Sequence, residues 1–212
     1  MKCEKCKKDV THLVDEMCIP CYIDDNLPTR VKDTRWLIAE SYERREEAKG
    51  KVNCDFDEKL ASAMNSAIEE GSITIEKNRN EISIRAKDEV ISISITTEGI
   101  DSLAQKTGFL VGKWLICRME SEIDSAWKVV AENTWNGNLG ISAKVSTGLR
   151  KTKMYVICVY TYNFLDLVDV KRVREKLRTF YFNEELCYKP DIYSYLGIYY
   201  RKASLSPCRY RI

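Results

Sequence analysis

The chain is 212 residues long, enough to bury one good core with a small appendage. Its charged share of 31% and apolar share of 44% are ordinary for a soluble globular protein. No apolar run approaches the ~20 residues that a membrane helix needs, which argues against a membrane partner. Lys and Cys fill the N-terminus where a signal peptide would carry its apolar stretch, so a cytoplasmic protein is expected.

The formal net charge is +2, but it is unevenly spread. Basic and acidic residues number 11 and 11 over residues 1–53, 9 and 15 over 54–138, and 14 and 6 over 139–212. A basic C-terminal half points either to an anionic, phosphate-bearing partner or to an ordinary solvated surface.

In chain order, Cys3-x2-Cys6 and Cys18-x2-Cys21 come first, two knuckles separated by eleven residues. A CxxC turn directs two sulfurs at one point, and two such turns close a tetrahedral site. A structural zinc ion on Cys3, Cys6, Cys18 and Cys21 is therefore expected, in a treble-clef or ribbon-like module over residues 1–27. The alternative is a pair of redox dithiols or disulfides, which an intracellular chain disfavours. His12, the only histidine, lies between the knuckles, so a Cys–His nucleophile in the rest of the chain is excluded. Cys54, Cys117, Cys158, Cys187 and Cys208 are scattered, and Cys117 and Cys158 read as small buried hydrophobes.

Residues 26–33 read as a linker into a first strand at Thr34–Ala39, and Glu40–Lys51 as a charged surface helix or a solvated loop ended by Gly50. Residues 28–212 form the main domain. Within it, a helix over Asp57–Glu70 stopped by Gly71 precedes alternating runs at Ile73/Ile75, Ile82/Ile84 and Ile91/Ile93/Ile95, a meander. This helix-plus-meander segment, about 54–107, closes with a short helix over Gly99–Lys106.

Gly112 then opens an apolar strand, and Ser121 with Asp124 suggests a capping box for the next helix. Ile123, Ala126, Trp127, Val130 and Thr134 give that helix one buried face, and Gly137 and Gly140 end it. Strands at Gly140–Ser146 and Tyr155–Tyr160 flank a loop bearing Arg150, Lys151 and Lys153. Asp166–Phe180 forms a basic amphipathic helix with Val170, Val173 and Leu177 buried and Lys171, Arg172, Arg174, Lys176 and Arg178 outside. Tyr188–Tyr200 is rich in tyrosine and broken by Pro190 and Gly197, a strand leading into an ordered loop. Some of these tyrosines are suited to stacking bases, and others to packing.

Gly112-Lys-Trp-Leu-Ile, the Trp-bearing helix, the Gly-rich break and the strand pair around a Lys/Arg loop resemble the cap-binding translation initiation factor 4E fold. GISAKVST, VICVYT, DVKRVREKL and YKPDIYSYLGIY are closer still to one branch of it, the proteins related to the basophilic-leukaemia-expressed protein. The resemblance spans roughly residues 110–200. It implies an α+β fold, with a curved, mainly antiparallel sheet and helices on one face. It also implies a phosphate-recognising pocket on the open face, bordered by Lys144, Ser146, Arg150, Lys151, Lys153, Lys189, Asp191, Tyr193 and Tyr195.

RNA or a nucleotide is the expected ligand, and a protein partner is possible through the knuckle. Lys144, between Ser142 and Ser146 on one side of the pleat, is the central candidate. Gly99–Thr107 has no aromatic residue where the cap-binding relatives carry a base-sandwiching tryptophan, so a methylated cap is not implied. Asp101 is only a weak stand-in for an acidic base-reader, and Trp36, Trp114 and Trp127 are expected in the core. Two other readings stay open. One is an enzyme acting on a phosphorylated substrate, phosphothreonine-lyase-like, with Lys144 or Lys189 as base and Asp191 or a tyrosine nearby. The other is a zinc-dependent protein-interaction adaptor.

Overall fold

Alternation along Gly112–Met119 separates the two faces of the main sheet. Trp114 and Ile116 are fully buried on one, while Lys113, Leu115 and Cys117 share the other. The computed structural model of the chain describes residues 1–8, 17, 19–49, 57–76, 81–86, 89–150, 153–199 and 205–212. In order, the elements are α1 (Ile19–Asp25), β1 (Trp36–Glu40), α2 (Tyr42–Lys49), α3 (Glu58–Glu70), β2 (Ile73–Glu76), β3 (Glu81–Ala86), β4 (Glu89–Ser94) and α4 (Thr97–Thr107). They continue with β5 (Gly112–Met119), α5 (Glu120–Trp135), β6 (Ser142–Ser146), β7 (Met154–Thr161), α6 (Leu167–Thr179), β8 (Cys187–Pro190), α7 (Asp191–Tyr195) and β9 (Tyr210–Arg211).

The larger sheet has six strands in the order β1-β6-β7-β5-β8-β9, and each neighbouring pair is antiparallel. The meander β2-β3-β4 forms its own three-stranded sheet, against which α3 packs. The expected α+β class with an antiparallel main sheet is therefore present. The residues that join the meander strands, 77–80 and 87–88, and Gly50 lie outside the described residues.

Helices α5 and α6 cover one face of the main sheet. Val130 and Trp127 of α5 and Val170, Val173 and Leu177 of α6 are buried there with Ala143, Val145, Ile157 and Val159. Trp114 donates its indole N–H to the Val170 carbonyl at 3.1 Å, which ties α6 to the centre of the sheet. Gly140 lets the chain return from α5. A Cβ there would lie 1.8 Å from the Tyr160 carbonyl oxygen, so only glycine fits where Ile141 donates to that carbonyl at 3.0 Å.

Four local expectations are corrected. The capping box at Ser121 does not form. The N-cap of α5 is Met119, without a side-chain bond, and Asp124 instead accepts from the Thr29 N–H (3.1 Å) and hydroxyl (2.6 Å). A helix start can use backbone partners from elsewhere in the chain, and local spacing does not report them. Arg174 is wholly buried and donates to the carbonyls of Ile212, Phe182 and Glu184 at 2.6–2.9 Å. It caps the end of the chain, so it is not part of the solvated stripe. The tyrosine-rich loop contains a short helix, α7. Finally, Cys187 and Cys208 are not scattered but joined in a disulfide, Cα to Cα 5.4 Å.

Candidate functional site

The face of the main sheet away from α5 and α6 is assembled by register. Lys144 pairs with Ile38 on β1 and with Cys158 on β7, and Tyr160 and Lys189 both pair with Lys113 on β5. Directly opposed residues in an antiparallel pair project to the same face with Cβ atoms about 4.5–5.5 Å apart. Crossing the sheet, the open face therefore presents Trp36 and Ile38, then Lys144, then Tyr160 and Cys158, then Lys113, then Lys189. Ile38, an apolar side chain 58% exposed, shows that the β1 side of this face is uncovered.

Three ammonium groups lie along that face. The Lys144 amine lies 4.6 Å from the Trp36 ring centroid and 5.4 Å from that of Tyr160. Lys113 reaches the same Tyr160 ring at 5.4 Å and also pairs with Asp191 at the start of α7. Lys189 is nearly buried and lies 4.2 Å from the Tyr199 ring centroid. Among the described residues, neither Lys144 nor Lys189 has a carboxylate within ion-pair distance. Burial, with the Lys113 ammonium next, pushes the pKa of Lys189 down to about 8, and Asp191 opposes only part of that.

Tyr160 is held strongly toward its neutral phenol by desolvation. The buried Cys158 thiol is likewise pushed up to about 11 by burial, although Lys113 and Lys144 pull the other way. Cys158 therefore packs rather than reacts, as its apolar strand suggested. Cys117 differs: it lies exposed on the open face, because β5 is uncovered there.

The expected ligand residues divide into several groups. Lys189 and Asp191 lie together beside Lys113, Lys144 shares their face from β6, and Tyr195 stands at the α7 border, where its ring meets Phe109 edge-on at 5.4 Å. Ser146 is buried and accepts from the Val156 N–H at 3.0 Å, so it serves the β6–β7 junction. Tyr193 is fully buried, because α7 turns it into the core. Lys153 is exposed just before β7, about 23 Å along the strand from Tyr160 at ~3.3 Å per residue. Lys151 and the side chain of Arg150 lie outside the described residues. Asp101 pairs with Arg209 at 2.6 Å in a part-buried contact, so it is not a base-reader on the open face.

Sequence reasoning missed Lys113, Tyr160 and Tyr199 and assigned Trp36 to the core. The signal for Lys113 and Tyr160 was the period of two: both alternate with core residues, Trp114 and Val159, so both point away from the helices. Tyr199 follows irregular chain and carried no such signal. A broad open cleft runs along the β1 rim, lined by Tyr22, Asn26, Arg30, Lys32, Trp36 and Ile38 among others. The hollow next to the lysines thus lies at the sheet edge, and it adds two further cationic side chains.

A second cluster lies at the N-terminus. The Cys3 carbonyl accepts from the Lys7 N–H at 2.9 Å, and the Cys3 N–H donates to the Lys8 carbonyl at 3.0 Å. Lys7 takes a left-handed φ of 61°, which turns the chain tightly behind Cys6. Cys21 is supplied from the first turn of α1. The Sγ atoms of Cys3, Cys6 and Cys21 lie within 4.8 Å of one another, close enough to bind one metal ion. Around a tetrahedral ion with ~2.3 Å metal–sulfur bonds, sulfurs are ~3.8 Å apart, so the three fit one coordination sphere. Cys18, His12 and most of the segment between the knuckles lie outside the described residues.

No helix among the described residues is long and apolar enough to cross a membrane. Residues 28–197 match the family described as Basophilic leukemia-expressed protein Bles03.

Proposed function

The chain belongs to the Basophilic leukemia-expressed protein Bles03 family, and on that premise we propose that its open sheet face binds a phosphate-bearing ligand, RNA or a nucleotide. The observation that carries this reading is the way Lys144 and Lys189 are held. Each is placed by an aromatic ring rather than by a carboxylate. A ring contact contributes about 0.5–2 kcal/mol to orienting an ammonium without neutralising it. The positive charge stays available to an anion.

Trp36 at the β1 end of this face and the exposed Tyr199 at the β8 end add rings on which a base can stack, the combination used for single-stranded nucleic acid. Arg30 and Lys32 along the β1 rim extend the cationic path. The open face opposite packed helices supports the initiation factor 4E-like architecture expected from the sequence, and the ligand path crosses its strands.

The N-terminal cluster is proposed to hold a structural zinc ion through Cys3, Cys6, Cys18 and Cys21. Two ligands from a turn and one from the start of a helix support a treble-clef arrangement. Zinc there would fix α1, and with it Tyr22 and Asn26 at the rim of the cleft. A protein partner at the knuckle and a cytoplasmic setting are further parts of this proposal; the free thiolates of a zinc site favour that setting, and the Cys187–Cys208 disulfide weighs against it.

Calorimetric titration with short RNA oligomers and with free nucleotides, each at two salt concentrations, tests the main reading. Binding that weakens as salt rises is expected of phosphate contacts. No binding of either ligand class at low salt would overturn it.

A further inference from the structure

Lys189 differs from the other two lysines of the open face. Its side chain is almost fully buried and lies under the Tyr199 ring. Lys113, directly across the β5–β8 pair, holds the nearby carboxylate of Asp191 in an ion pair. Lys189 is thus the one amine of the three that is both desolvated and flanked by another cation whose counter-ion is already engaged. Desolvation and a neighbouring ammonium are the two conditions that turn a lysine into a neutral nucleophile at moderate pH.

We infer that Lys189 is a reactive amine that forms an imine with an aldehyde or ketone carrying an anionic group. This rests on the anion-binding reading for the substrate's charged end, which Lys113 and Lys144 would attract. In the step itself, the Lys189 nitrogen lone pair adds to the carbonyl carbon. A C–N bond forms, the carbonyl π bond breaks, and the oxygen takes a proton, which the ammonium of Lys113 on the same face can supply. The nitrogen then gives up its two protons, one back to the Lys113 amine and one to the departing hydroxyl, and the carbinolamine loses water, leaving C=N. Amine and carbonyl compound give imine and water, with no oxidant or reductant consumed.

Among the described residues, the charged and titratable groups facing Lys189 are Lys113 from β5, Asp191 from α7 and Tyr199. Burial and Lys113 lower its pKa to about 8, with Asp191 opposing, so the neutral form gains population from that pH upward. Tyr199 is exposed on its outer side, and among the described residues it is the ring that covers the amine.

The test uses the full chain with pyridoxal 5′-phosphate as the probe, sodium borohydride to reduce any imine, and peptide mass mapping to find the modified lysine. Modification concentrated on Lys189 at low reagent excess is expected. Its rate should rise through about pH 8, whereas an ordinary lysine would titrate near 10.4. Lys189→Arg, which keeps the charge, should abolish it, and Tyr199→Ala should speed it several-fold.

Modification spread over exposed lysines, or a rate that rises only above pH 10, would overturn the inference. The pH profile of the wild-type chain decides this even if a variant fails to fold. Inorganic phosphate as competitor separates the two claims. Lys189 labelling that phosphate does not slow supports the amine and contradicts the anion site. Phosphate or nucleotide binding with no labelling at Lys189 contradicts the amine alone.

Discussion

At Gly112 the main chain passes so close to Tyr188 that a Cβ would lie 2.4 Å from the phenolic oxygen. That phenol is buried and hydrogen-bonded to the Thr161 hydroxyl, and its ring meets Trp114 edge-on at 5.0 Å, so it has nowhere to move. Gly112→Ala should therefore cost about 1–3 kcal/mol, the range for overpacking a filled core, measured by denaturant unfolding. An unchanged midpoint would mean that β8 can shift relative to β5. Because Lys113 and Lys189 ride on these two strands, the same substitution should also weaken anion binding.

Lys189 sets a pH dependence with a defined sign. Its folded pKa of about 8 lies below the ordinary 10.5, so between those values the unfolded chain holds the extra proton and stability rises with pH. Anion affinity should move the other way, falling from pH 7 to pH 9 as the charge on Lys189 is lost. Titrations with a short RNA at three pH values check this, and Lys189→Arg should flatten the profile.

Among the elements, the strands and helices were legible where apolar period and end signals agreed. Asp57 and Gly71 bracket α3 as expected: Asp57 accepts from the Leu60 N–H, and Gly71 takes a left-handed φ of 66°. The three-stranded meander follows from its isoleucine alternation. What the sequence hid were contacts between distant residues. Cys187 and Cys208 are 21 residues apart and meet only because β8 and β9 pair. Asp124 left its expected cap for Thr29, 95 residues earlier.

The disulfide encloses Lys189, Asp191, α7 and Tyr199, the whole β8-side border of the candidate site. Closing a loop of that length stabilises a fold by about 3 kcal/mol in the chain-entropy description. Cys208→Ser should lower the melting temperature by several degrees, and a dithiol reductant should reproduce the shift in the wild-type chain. A reductant-insensitive melt would show that the two thiols stay apart in solution.

At the scale of the whole molecule, the N-terminal module is less separable than its linker-like composition suggested. Ile23 of α1 is buried in the common core, Tyr22 meets Trp135 of α5 edge-on at 5.9 Å, and Asp24 pairs with Lys128 at 2.6 Å. A self-contained module over residues 1–27 would let the main domain survive loss of residues 1–25. The packing of α1 predicts instead that this deletion costs about 2–4 kcal/mol, the scale of removing a large buried side chain with its surroundings. Removing residues 1–17 should cost much less. Metal analysis should find about one zinc per chain, and a chelator should loosen α1 without unfolding the main sheet.

On the proposed reading, the open face rather than the basic loop carries the site. Lys144 and Lys153 separate these two possibilities, because they lie in different places on the same sheet. The most direct measurement is the affinity of a short RNA oligomer for the wild-type chain, Lys144→Ala and Lys153→Ala, taken at low and at physiological salt. The open-face account predicts that Lys144→Ala weakens binding by about 1–3 kcal/mol at both salt concentrations, since a partly buried ammonium is poorly screened. Lys153→Ala should change affinity by less than about 0.5 kcal/mol, as surface substitutions generally do. Wild-type affinity for Lys144→Ala with the fold intact, or a larger loss for Lys153→Ala, would contradict it.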